Sequence, residues 1–206
     1  METKLRVRSF DSPLSPEAFG MLPRKPITVL LDNLRSAFNV GSIIRTADCA
    51  RLEKIICCGI TAHPPHKKLE KTTLGALEYI TCEYRKTVME AVLELKSRHI
   101  PVYALELTNR SRILWKTRFP LPLGLILGNE ALGVSHEVLR EADDIIEIPV
   151  LGFKNSMNVA VAFGIVLYEI QRQHWESGDR RLWKQNKAAA LRSLANENNV
   201  DPDAVT

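Results

Sequence analysis

Three short stretches of this chain gather polar and glycine residues in patterns that could hold a ligand and act on it. The first, LDNLRSAFNVGSIIRTAD (31–48), offers Asn39 as a helix cap, Gly41 as a point of close approach, and Arg45 six residues beyond Asn39. An arginine could grip a phosphate there, because its planar fork matches phosphate oxygens and keeps its charge. The same residues would also suit a plain capped helix with a surface arginine. The second stretch, LILGNEALGVSHEVL (125–139), ends an apolar run at Gly128, follows it with Glu130, and sets Gly133 before a helical segment. The third, IPVLGFKNSMNVAVA (148–162), brings Ser156 and Asn158 to the start of an apolar helix, with more polar groups than one cap requires. Other chemistries lack their residues. There is no GxGxxG after the first strand, no GxxxxGK[ST], no GxSxG and no HExxH. Cys49, Cys57, Cys58 and Cys82 show neither disulfide nor zinc spacing, and His63 with His66 lacks a third ligand nearby. No metal site is expected.

Such residues act only if the fold brings them together. Apolar runs at 27–31, 54–60, 80–84, 102–107, 123–128 and 144–150 read as strands. Helical spacing appears at 39–52, 87–100, 134–142 and 156–173, the last being apolar nearly all round. Residues 62–71 hold two prolines, two histidines and three lysines, and read as an exposed loop. Near-continuous apolar strands alternating with helices predict an α/β fold, a parallel sheet with helices on both faces. Ligands then bind beyond the carboxyl ends of strands, just after Leu31, Leu107, Leu127 and Ile148. Three segments are expected: an N-terminal arm over 1–25, one domain over 26–173, and a charged, partly helical tail over 174–206.

Composition narrows the partners. The chain has 206 residues, 45% hydrophobic and 25% charged, which excludes a collagen, a coiled-coil rod and a wholly disordered chain. Net charge is +4, so nucleic-acid binding requires local clustering of cations. Candidates are Lys4, Arg6 and Arg8, then Lys67, Lys68 and Lys71, and above all Arg110, Arg112, Lys116 and Arg118, with Trp115 among them. The start of the chain has no apolar core of signal-peptide length, and Val159–Ile170 is too short to cross a bilayer. A reducing, cytoplasmic setting without membrane contact is expected.

In order and spacing the three stretches resemble the signature motifs of the SpoU (TrmH-like) family. These SPOUT-superfamily enzymes methylate RNA ribose 2′-hydroxyls with S-adenosylmethionine. The matching elements are N-x-G-x-x-x-R at Asn39–Arg45, L-G-N-E-x-x-G at Leu127–Gly133, and I-P with S-x-N-V-x-V-A at Ile148–Ala162, joined by TTLGALEYI at 72–80. Ala131 stands where glycine is common in the family, and Met157 where leucine is common. The resemblance implies a deep C-terminal trefoil knot, a homodimer, and tRNA or rRNA as substrate. It implies S-adenosylmethionine on Leu107, Thr108, Gly128, Ile148 and Met157, with Gly128 leaving room for the adenosine. It assigns catalysis to Arg45, which would hold the target phosphate, with Asn39, Ser156 and Asn158 orienting the groups. Glu130 is weighted as a helper of loop geometry or RNA rather than a base. A chain that keeps the fold and binds RNA without catalysis is the alternative.

Overall fold

A strand buried on both faces alternates its side chains between two cores, so consecutive positions along its centre are apolar. In the computed structural model, β1 (Lys25–Asp32) shows this directly. Val29 and Leu31 join one core with Ile55, Cys57, Leu125 and Leu127, whereas Leu30 joins the other with Ile56, Cys58 and Ile126. The first core is closed by α2 (Ala37–Cys49), through Val40, Ile43 and Ile44, and by α6 (Val159–Glu176), through Phe163, Val166 and Leu167. The second is closed by α4 (Val88–Ser97), through Ala91, Val92 and Leu95, and by α5 (His136–Glu141), through Val138. Truncating a fully buried ring such as Phe163 to alanine would cost about 3–5 kcal/mol.

Among the described residues seven strands form one sheet, all parallel. With β2 (Leu52–Cys58), β3 (Thr81–Arg85), β4 (Val102–Leu105), β5 (Arg112–Ile113), β6 (Leu123–Leu127) and β7 (Asp144–Glu147), the order is β3-β2-β1-β6-β4-β7-β5. Leu127 pairs with Leu31 on one side and Leu105 on the other, and Leu105 pairs with Ile146. Four carboxyl ends therefore stand level. The loops that follow them share one edge of the sheet, where an open α/β sheet binds ligands.

The structure describes residues 15–176 and Lys184. Arg24–His174 make up one compact unit. The described residues 15–23, with the short α1 (Pro16–Gly20), belong to a second, as do 175, 176 and 184. Lys4, Arg6, Arg8 and most of the proposed tail lie outside the described residues.

Two expectations fail. Residues 62–71 are not all loop, because α3 (Lys67–Thr73) begins behind His66, whose Nδ1 accepts from the Lys68 amide at 3.3 Å. KKLEKTT has no apolar stripe and buries only Leu69 and Thr73, so periodicity could not reveal it. A tertiary fit holds it instead. A Cβ on Gly41 would lie 2.0 Å from Thr72 Oγ1, so only glycine lets α3 approach α2 this closely. Asn39 is also not the cap of α2. Ser36 holds that place, accepting from the Asn39 amide at 3.3 Å, which frees the Asn39 side chain for another contact.

Candidate active site

A cavity of about 1510 Å³ opens at the carboxyl ends of β4, β6 and β7. Strands β4 and β7 stop earlier than the apolar runs suggest, so Glu106–Thr108 and Ile148–Val150 become cavity wall rather than sheet. The five residues expected to hold the cofactor, Leu107, Thr108, Gly128, Ile148 and Met157, all line it. So do Asn39, Glu130, Ser156 and Asn158.

Three of these side chains join the loops directly. Asn158 Nδ2 donates to Asn39 Oδ1 at 2.9 Å, and Asn39 Nδ2 donates to Glu130 Oε1 at 2.8 Å. Asn158 Oδ1 meanwhile caps α6, accepting from the amides of Ala160 at 2.9 Å and Val161 at 3.3 Å. Glu130 accepts two further amides at the start of α2, Arg35 at 2.8 Å and Ser36 at 3.1 Å. A carboxylate fits there because the first amides of a helix lack partners and carry partial positive charge. Burial raises the Glu130 pKa, but the donors from Arg35, Asn39 and Ser36 outweigh it and hold the carboxyl below its usual range. With its lone pairs engaged by three donors, Glu130 sits as a strut between β6 and α2.

Asn129 was absent from the expected set, yet it builds the loop. Its Nδ2 donates to the Asn33 carbonyl at 2.6 Å, and its Oδ1 accepts from Ala131 at 2.9 Å and Leu132 at 3.0 Å. Its backbone pairs with Gly133 in both directions. An Asn between two glycines was the available signal. This tight turn also revises the reason for Gly128. A Cβ there would stand 2.5 Å from the Gly133 carbonyl carbon and 2.6 Å from the Val134 nitrogen. The space is already taken by the loop itself. Glu106, likewise unforeseen, accepts the amides of Leu107 and Val134, both at 2.9 Å, and so binds the end of β4 to the same loop.

Arg45 is not in the cavity wall. It is exposed on α2, six residues past Asn39 and about 9 Å further along the helix axis at ~1.5 Å per residue. Arg110, Arg112, Lys116 and Arg118 are exposed around the edge strand β5, and Arg112 is ion-paired to Asp144 at 2.6 Å. Among the described residues no group of three or more His, Cys, Asp or Glu could hold a metal ion. No helix among them is long and apolar enough to cross a membrane.

A cavity at these strand ends, walled by three loops that one hydrogen-bonded joint links, matches a known architecture. The model of the SpoU rRNA methylase family fits residues 26–168. The chain belongs to that family. It is 33% identical over 156 residues to a tRNA (guanosine(18)-2′-O)-methyltransferase of Thermus thermophilus, covering 75% of this chain and 79% of the relative. The crystal structure of the TrmH/SpoU tRNA modifying enzyme of A. aeolicus superposes with a TM-score of 0.71 at 30% identity, over 84% of this chain and 92% of that one. The SpoU methyltransferase AviRb of Streptomyces viridochromogenes, solved in complex with the cofactor AdoMet, superposes with a TM-score of 0.68 at 27% identity, over 75% of this chain and 63% of that one.

Proposed function

We infer that this protein transfers a methyl group from S-adenosylmethionine to a ribose 2′-hydroxyl of tRNA or rRNA. The joint of Asn39, Glu130 and Asn158 carries this reading, because it ties the three family motifs around one cavity. The wall suits that cofactor chemically. Leu107 and Met157 offer apolar surface for an adenine, while Glu106 and Glu147 supply negative charge near a sulfonium. A volume of about 1510 Å³ exceeds the ~300–1,000 Å³ of a site for one small ligand, which leaves room for the acceptor ribose.

S-adenosylmethionine, when bound, supplies an already activated methyl group on sulfur. The protein must therefore align the acceptor oxygen and provide for its proton. In our reading Leu107, Thr108, Gly128, Ile148 and Met157 hold the cofactor, and Ser156 and Asn158 position the ribose. Alignment of this kind can contribute several kcal/mol to the rate. Arg45 holds the target phosphate, whose oxygen accepts the proton as the 2′-oxygen is methylated. A guanidinium is a poor base because it stays protonated. Glu130 keeps the loops in place and takes no proton.

Because Arg45 lies off the cavity wall of its own chain, we assign it to the site of a second copy. Val161 and Tyr168 on α6, each 56% exposed, are apolar surface that a homodimer would cover. The trefoil knot of the family and the arm, domain and tail at 1–25, 26–173 and 174–206 belong to the same reading, with Arg110, Arg112, Lys116 and Arg118 contacting RNA. An RNA substrate and four free cysteines support work in the cytoplasm. The test is methylation of bulk tRNA and rRNA by purified protein with labelled S-adenosylmethionine, followed by nuclease mapping. Label on a ribose is expected. Label on a base, or none, would overturn the assignment, and calorimetric titration showing no cofactor binding would favour the non-catalytic alternative.

A further inference from the structure

A second cavity, of about 440 Å³, lies beside the first at the carboxyl ends of β1 and β2. Arg35 and Ser36 line both, so the two adjoin at the start of α2. Its chemistry differs sharply. Arg35, His63, His66 and Lys68 are among its lining residues, and the lining includes no carboxylate. Two apolar side chains in the same lining are unusually open, Phe38 at 67% and Ile60 at 70% exposure. The wall is fixed in place. Thr61 Oγ1 donates to the Leu31 carbonyl at 3.0 Å and accepts the Leu34 amide at 2.9 Å. The His63 ring stacks on Tyr84 with centroids 4.3 Å apart. Just before α2, the Arg35 and Ser36 amides are engaged by Glu130.

We propose that this second cavity seats the nucleotide adjoining the methylated ribose, with its phosphodiester on Arg35 and Lys68 and its base against Phe38. The proposal rests on the reading of the first cavity as an RNA methylation site. Arg35 and Ser36 line both cavities, so a strand whose target ribose enters the first can pass over them into the second. Cations paired with an open aromatic face match single-stranded nucleic acid, where phosphate and base each take one kind of contact. The volume of about 440 Å³ suits one nucleotide and is too small for a duplex.

The two contacts separate experimentally. Binding of labelled bulk tRNA to the full chain is followed by fluorescence anisotropy over a range of salt, for wild type, Lys68→Glu and Phe38→Ala. Lys68→Glu is expected to weaken binding about tenfold and to lower the slope of log affinity against log salt by roughly 0.7 or more, the value for one phosphate contact on a single strand. Phe38→Ala is expected to weaken binding about five- to a hundredfold with an unchanged slope, as loss of a stacked base does. Unchanged melting temperature in both variants excludes a folding defect. If the wild-type chain methylates RNA while both variants bind tRNA as tightly with the same slope, the second cavity is not an RNA subsite. A wild-type chain that methylates no RNA overturns the underlying reading instead.

Discussion

The two cavities share a rim and almost nothing else. The larger is built from strand ends and tight loops, and carries Glu106, Glu130 and Glu147 in its wall. Two of these carboxylates accept backbone amides, so their charge is spent partly on holding loops. The smaller is built from the β1–α2 and β2–α3 connections, with cations and open apolar surface. A sulfonium and a phosphodiester have opposite charge, so a wall with carboxylates suits the first and one with cations the second. Separating them on either side of the α2 start lets each ligand meet its own field. The largest test of this division concerns Arg45, which lines neither cavity of its own chain.

Arg45→Ala is expected to lose at least about a hundredfold in turnover while cofactor affinity stays near wild type, since the residue acts on the phosphate. Arg45→Lys should recover little, because lysine lacks the fork. Mixing inactive Arg45→Ala with inactive Asn158→Ala under subunit exchange then asks where the arginine works. A site shared between copies gives each mixed dimer one intact site, so random exchange restores roughly a quarter of wild-type activity. Activity that stays at the single-mutant level despite proven exchange would place Arg45 in its own chain's site.

Gly128→Val should come next in size. Its Cβ would collide with backbone atoms of Gly133 and Val134 that cannot rotate away. The loop 128–134 must shift, at a cost of about 1–3 kcal/mol. Calorimetry should therefore show both a lower melting temperature and weakened S-adenosylmethionine binding. A variant with wild-type stability and no cofactor binding would instead mean that the glycine only clears space for ligand.

That revision shows what the sequence could and could not convey. Continuous apolar strands separated by helical stretches made the parallel sheet legible, because Val29, Leu30 and Leu31 must each find a core on one face or the other. The identity of the cavity residues was legible through motif spacing. Their partners were not. Asn39 reaches Glu130 across 91 residues and Asn158 across 119, and no local pattern encodes such contacts. The same holds for α3, which exists because Thr72 fits over Gly41. The smaller cavity was invisible for a second reason, since its residues lie largely on connections with no period of their own.

Chemical footprinting offers a further, more modest separation. Met157 is 37% exposed in the larger cavity, whereas His63 and His66 line the smaller. S-adenosylmethionine should slow oxidation of Met157 several-fold without altering acylation of the two histidines. Bulk tRNA should protect the histidines as well. Equal protection of both sets by cofactor alone, read by mass spectrometry, would mean that the cavities do not bind separately.

The smallest effect belongs to the strut between them. Glu130 takes the Ser36 amide and the Asn39 side chain on Oε1 and the Arg35 amide on Oε2. Gln at 130 can present one oxygen to the first pair, but its NH2 then faces the Arg35 N–H, donor against donor. Glu130→Gln should therefore melt lower at neutral pH. Because Glu130 is largely solvent-exposed, screening limits the loss to about 1 kcal/mol or less, or roughly 2–4 °C. The pH dependence gives the sign. The folded carboxyl titrates below its usual range, so its contribution is complete above the unfolded value of about 4.3 and disappears as pH falls through the folded one. The gap between wild type and Glu130→Gln should narrow on acidification below about pH 4.3, because the wild-type side chain becomes neutral too. A gap that stays constant from pH 7 to pH 3 in thermal melts would show that the carboxylate charge does not hold the start of α2.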